Sequence, residues 1–119
     1  GDPYYDHCLA TASQLAEALK LNKDQWKMSF QSRLGRAQWL LPYTSETLER
    51  LPSESISHVD VICPAFSADC LETLEEMEEE NRQVYMEAGG KKYGLIPCLN
   101  DNDDHIQMMA KILVDYLPT

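Results

Sequence analysis

At 119 residues with 44% hydrophobic content, the chain fits one folded core and is too apolar for a disordered segment. Twenty Asp and Glu against ten Lys and Arg leave a net charge of −10, which excludes the basic face that nucleic-acid binding needs and suits a cation or plain solubility. The longest apolar runs are only a few residues, so no membrane span is expected, and the N-terminus does not read as a secretion signal.

Asp2 and Pro3 form a favoured cap and first position for a helix, in which Tyr5, Cys8, Leu9, Ala12, Leu15 and Leu19 recur at three and four. Asn22 and Asp24 mark a turn. Trp26, Met28 and Phe30 alternate with polar residues, the signature of a first strand through Gln31. Residues 31–43, with Gly35, Pro42, Arg33 and Trp39, read as a functional loop. Thr44 or Ser45 caps a short helix that Pro52 ends. Ser57 to Cys63 is a second strand, and Pro64 and Phe66 turn the chain into a long helix over about 68–88 that Gly89-Gly90 stops. Tyr93 to Pro97 is a third strand. Asp103 or Asp104 caps a last helix whose buried stripe is Ile106, Met109, Ala110, Leu113 and Leu117.

Helices alternating with short apolar strands predict a single α/β domain over residues 1–119, a parallel sheet covered on both faces. In such sheets ligands gather beyond the carboxyl ends of the strands. Three polar stretches are expected at that edge: Gln31-Ser32-Arg33, Pro64 to Asp69, and Leu99-Asn100-Asp101. Asp69, Glu72 and Glu76, three and four apart, would share one helix face and suit a hard cation as oxygen ligands. An acidic run on a helix is also, more often, only a solvated face, and that reading is kept for Glu78, Glu79 and Glu80.

The remaining candidates are weaker. Cys8, Cys63, Cys70 and Cys98 lack the spacing of a zinc or iron–sulfur site and fit a reducing cytoplasm. His7, His58 and His105 start elements away from the carboxyl edge. Asp101-Asn102-Asp103-Asp104 lacks the glycine of a calcium loop and has Ile112 at the twelfth position, so it reads as a helix cap.

Four stretches, GDPYYDHC, FQSRLGRAQWLLPYTSETLERL, CPAFSADCLETLEEMEEENRQVY and IPCLND, resemble the C-terminal lobe of a bacterial ferrochelatase. That family inserts ferrous iron into protoporphyrin IX to make protoheme. The resemblance implies a three-layer α/β/α fold of chelatase type with flavodoxin-like strand order. It places the catalytic glutamate at Glu72, a second acidic residue at Glu76 with Asp69 beside them, and porphyrin contacts at Trp39, Phe66, Gln31, Ser32 and Arg33. Without it, either ring would more often be core and Arg33 merely solvated. Some relatives have histidine where this chain has Cys70, which leaves that position's role open.

In the family, GDPY follows a Ser-Phe-His-Gly strand end carrying the principal catalytic histidine, itself preceded by an N-terminal lobe. This chain opens at Gly1-Asp2-Pro3-Tyr4, so both are expected to lie outside it, and the chain alone is expected to have little chelatase activity. A missing first strand would leave a slot between residues 26–31 and 57–63, closed by their pairing or filled by another chain, with the first helix least firmly docked. The resemblance further implies iron as substrate, no tightly bound cofactor or iron–sulfur cluster, and at most peripheral membrane contact. The rival readings are a non-catalytic acidic α/β module that binds a basic protein, and an enzyme that metallates a different tetrapyrrole.

Overall fold

The computed structural model describes residues 3–31 and 41–115. Pro3 precedes α1 (Tyr4–Ala18) with φ −74° already in the helical range. The expected cap, Asp2, lies outside the described residues. Only Ala16 of α1 is buried; Tyr5, Leu9 and Leu19 of the expected stripe stay exposed. The tilted contact of the Tyr5 ring with Phe30, at 5.7 Å, is its main aromatic anchor.

Residues 26–31 do not form the expected strand. Phe30 makes one isolated parallel bridge, in which its N–H donates to Pro42 O and its own carbonyl accepts from Thr44 N–H, both at 2.9 Å. Alternation prepared the segment for a sheet, but among the described residues no neighbouring strand extends the ladder.

Helix α2 (Thr44–Arg50) follows an extended Tyr43 and has no side-chain cap, in place of the expected Thr44 or Ser45 cap. Thr44, Thr47 and Leu48 face inward. Pro52 does not end the helix abruptly: it opens a 3₁₀ turn, Leu51–Glu54, where its missing N–H is harmless. Ser55 closes that turn with φ +67°.

Strand β1 (His58–Val61) leads to a helix in two registers. A π-helix spans Glu72–Glu80, and α3 (Asn81–Glu87) continues it. A single α-helix was expected there. Gly89 ends the segment at φ +114°, a conformation side chains resist, and Gly90 lies so close to the Tyr85 ring that a Cβ would come within 2.1 Å of it. Strand β2 (Lys92–Leu95) pairs in parallel with β1, His58 opposite Lys92 and Val61 opposite Leu95.

The fold is therefore α/β, a two-stranded parallel sheet with helices on both sides. Val59, Val61, Tyr93 and Leu95 alternate onto one sheet face and meet Leu48, Leu51 and Tyr85 from α2, the following turn and α3. The slot expected beside β1 is not closed by residues 26–31, whose nearest tie to that strand's end is Cys63 Sγ–H donating to Gln31 Oε1 at 3.7 Å. Among the described residues β1 pairs only with β2, and its partial exposure lets water serve the amides of the other edge.

Helix α4 (Asp103–Val114) is capped by Asn102, whose Oδ1 accepts from Asp104 N–H at 3.0 Å, one residue earlier than expected. Its expected stripe is not buried: Ile106 is 46% and Leu113 60% exposed, and Leu117 lies outside the described residues. Complete burial of such a side chain is worth about 1.5–3 kcal/mol, and α1 and α4 keep apolar surface exposed among the described residues.

Candidate functional site

The loop after β1 is built to launch the acidic helix. Phe66 N–H donates to Cys63 O at 3.1 Å, turning the chain, and leaves the Phe66 ring half-buried. Asn100, in the loop after β2, then fastens the segment from three directions. Its N–H donates to Ser67 O at 2.8 Å, its Oδ1 accepts from Asp69 N–H at 2.7 Å, and its Nδ2 donates to Asp69 Oδ2 at 2.8 Å. Asn100 adopts φ +50°, which asparagine tolerates better than most residues. Buried His105 donates from Nδ1 to the Asn100 carbonyl at 2.7 Å, which sets the imidazole tautomer.

The second Asp69 oxygen accepts from Thr73 Oγ1 at 3.0 Å and from Cys98 N–H at 3.4 Å. Hydrogen bonds from Asn100, then from Cys98 and Thr73, hold the Asp69 carboxyl below the usual carboxylate range. Buried Thr73 also accepts from Cys70 N–H at 2.9 Å, joining the loop to the helix start.

The π-helix decides where the carboxylates point. Its i→i+5 ladder winds wider than the 3.6-residue α-helix, so residues four apart stay close to one line. Thr73, Met77, Asn81 and Tyr85 form such a line and are all buried. Glu72 and Glu76 each precede one of them and are half-buried on the flank, whereas Glu75, Glu79 and Glu80 are exposed. Glu78, expected to be simply solvated, is ion-paired with Arg82. A hydrogen bond from the Cys70 thiol, and one from its own backbone N–H, hold Glu72 below the usual carboxylate range.

Among the described residues no three His, Cys, Asp or Glu side chains converge on one cation position, so Asp69, Glu72 and Glu76 are not a preassembled trio. Glu72 and Glu76 lie together on the helix flank, while Asp69, before the helix begins, is engaged by the Asn100 loop. Burial, reinforced by Asp69 nearby, pushes the thiols of Cys63 and Cys98 up to about 11.

Of the porphyrin contacts expected from the sequence, Gln31 and Phe66 are described; Ser32, Arg33 and Trp39 lie outside the described residues. Gln31 sits against Cys63 just past the end of β1, and its Nε2 is buried with no acceptor among the described residues. Two of the three expected strand ends therefore meet through Asp69 and Asn100, and Gln31 joins them through Cys63. Sequence reasoning missed Asn100, Thr73 and His105 as the groups that hold this edge together; only the Asn100 segment carried a signal, as a polar strand end.

The ferrochelatase family model matches residues 1–117. Ferrochelatase 2 of Shewanella oneidensis is 55% identical over 117 residues, 98% of this chain and 36% of that protein. The ferrochelatase of Vibrio parahaemolyticus is 54% identical over 113 residues, 95% of this chain and 35% of the relative. That of Escherichia coli strain SMS-3-5 is 52% identical over 116 residues, 98% and 36%. The chain thus spans about a third of the length of the curated relatives it matches. With a matched span that takes in the β1 loop, the acidic π-helix and the Asn100 clamp together, the chain belongs to the ferrochelatase family.

Proposed function

We propose that this chain supplies the carboxylate wall of a cleft in which ferrous iron is inserted into protoporphyrin IX to give protoheme, in a cytoplasmic ferrochelatase. The observation that carries the reading is the π-helix beyond the carboxyl end of β1, with Glu72 and Glu76 together on its half-buried flank. π-turns are rare and gather at functional sites.

Insertion requires water to be stripped from the cation and two protons to leave pyrrole nitrogens. Glu72, a half-buried carboxylate on the helix flank, is placed to replace water on an arriving cation. Glu76, on the same flank, offers the next oxygen along the helix. Asp69, read from the sequence as a third ligand, already spends most of its lone pairs on Asn100, Thr73 and Cys98. We assign it to holding the loop. Proton removal falls to a base outside these residues, in keeping with the absence of a Ser-Phe-His-Gly segment from the sequence.

On the porphyrin side, the orphaned Gln31 amide wants an acceptor, and a propionate is one. Phe66 offers an aromatic edge to a macrocycle. Ser32, Arg33 and Trp39 complete the set on sequence grounds. The opposite wall we ascribe to the two thirds of the family's length that this chain does not span. That lobe would also cover α1 and α4 and pair with the open edge of β1; a strand from a second copy is the other candidate for that edge. No helix among the described residues is long and apolar enough to cross a membrane. At most peripheral membrane contact belongs to this reading through the family resemblance. No tightly bound cofactor or iron–sulfur cluster enters it.

Titration of protoporphyrin IX against the chain tests the proposal. A shifted Soret band and quenched tryptophan fluorescence are expected, both weakened by Trp39→Ala. Unchanged spectra in the presence of a soluble basic protein that does bind would favour the acidic binding module instead.

A further inference from the structure

The wide register of the π-helix has to end somewhere, and its end leaves one carbonyl over. Asn81 N–H donates to Glu76 O, the last i→i+5 bond, and α3 then proceeds with i→i+4 bonds. The next acceptor in α register is Glu78 O, so the change skips Met77 O. Met77 is 1% exposed, beyond the reach of bulk water. Its carbonyl accepts instead from the Tyr93 hydroxyl, at 2.6 Å, across from β2.

Tyr93 is itself firmly held. It is buried, its ring lies 6.1 Å from that of Tyr85, and the Arg82 guanidinium sits over it at 4.9 Å. Arg82 Nη1 also donates to the Tyr93 carbonyl at 2.8 Å, while its Nε donates to Glu78 O at 3.1 Å. The first residue of α3 in the ordinary register and the strand that ends the wide one are thus tied together.

We propose that Tyr93 is a positioning residue whose hydroxyl selects the π register, by satisfying the one carbonyl that this register orphans, and so aims Glu72 and Glu76. Without the hydroxyl, Met77 O is a buried acceptor with no donor, and the helix can repair this by passing Asn81 N–H from Glu76 O to Met77 O. Such a one-residue slip turns everything upstream by about 100° relative to α3, carrying both glutamates off their flank. The second half of this inference rests on the proposed role of Glu72 and Glu76; the first half does not.

The test compares Tyr93→Phe with Tyr85→Phe, which loses an equivalent hydroxyl bonded to Ile56 O at 2.8 Å, away from the junction. In the full chain, couplings across hydrogen bonds read by NMR should connect Asn81 N with the Glu76 carbonyl carbon. Tyr93→Phe should move that coupling to Met77, and Tyr85→Phe should leave it in place. Residues 1–117 are also grafted in place of the matching segment of the Shewanella oneidensis ferrochelatase 2. There Tyr93→Phe should raise the KM for iron at least about threefold with the porphyrin KM unchanged, and Tyr85→Phe should move neither. Hydrogen exchange across 76–82 in the graft reads the same junction if the chain alone gives unresolved spectra. A coupling or exchange pattern unmoved by Tyr93→Phe overturns the register claim, and a shifted register with an unmoved iron KM overturns the positioning claim. A graft that lacks activity before any substitution counts against the proposed function, and the register measurement still decides this inference.

Discussion

Asp69 and Asn100 hold each other in both directions: the Asp69 N–H donates to Asn100 Oδ1 at 2.7 Å and Asn100 Nδ2 returns a bond to Asp69 Oδ2 at 2.8 Å. One asparagine thereby satisfies both the backbone and the side chain of the residue that precedes the acidic helix. The two strand ends are tied directly to each other just before the π-helix begins.

Asn100→Ala should therefore lower stability by about 1–3 kcal/mol, because it leaves a carboxylate and an amide of Asp69 without their partner. Urea denaturation followed by circular dichroism measures this, with Asn102→Ala, which removes only a helix cap worth about 1 kcal/mol, for comparison. An Asn100→Ala midpoint equal to that of the unaltered chain would show that the clamp contributes nothing.

Glu72→Gln, in the full-length graft, should cut iron insertion at least about a hundredfold while leaving the unfolding midpoint nearly unchanged. Glu79→Gln, on the exposed side, should affect neither. Equal losses from the two changes would mean that the acidic face acts as a diffuse field, and the assignment of Glu72 would fail.

The half-buried thiols give a pH signature on the alkaline side. Desolvation pushes the Cys63 and Cys98 thiols up to about 11 in the folded chain, above the about 8.5 of a free thiol. A raised folded pKa means that their contribution to stability is complete below about 8.5 and is lost as pH rises through the folded value. The thermal midpoint should fall between those limits, and less steeply in Cys63→Ser. Iodoacetamide should label both thiols slowly at pH 8 and faster toward pH 11. A flat midpoint across that range would contradict the burial seen here.

Gly90→Ala should destabilise the chain by about 1–3 kcal/mol through overpacking, since the new methyl would lie within 2.1 Å of the Tyr85 ring, which is fully buried and cannot swing away. Thermal unfolding checks this. Tyr85→Leu in the same background should recover part of the loss; no recovery would place the clash elsewhere.

Much of this protein is set by patterns only a few residues long. The helical span of α1, the strands around Val59 and Tyr93, the Gly89-Gly90 stop and the acidic stretch after Pro64 all follow from periodicity and turn chemistry, which act locally. The expectation that polar stretches meet at the carboxyl ends of the strands also needed only the order of elements. Tertiary structure decided the rest. Residues 26–31 carry the alternation of a strand, yet a strand exists only where a neighbour supplies its hydrogen bonds. The stripe of α4 is correctly periodic and still exposed, because burial depends on what packs against it. Asp69 is fastened to Asn100, 31 residues away, by a contact that only the fold brings about. The π register escaped the sequence for the same reason: its i→i+5 ladder leaves the Met77 carbonyl to a hydroxyl from another strand, 16 residues on, and no local pattern encodes a hydrogen bond made across the fold.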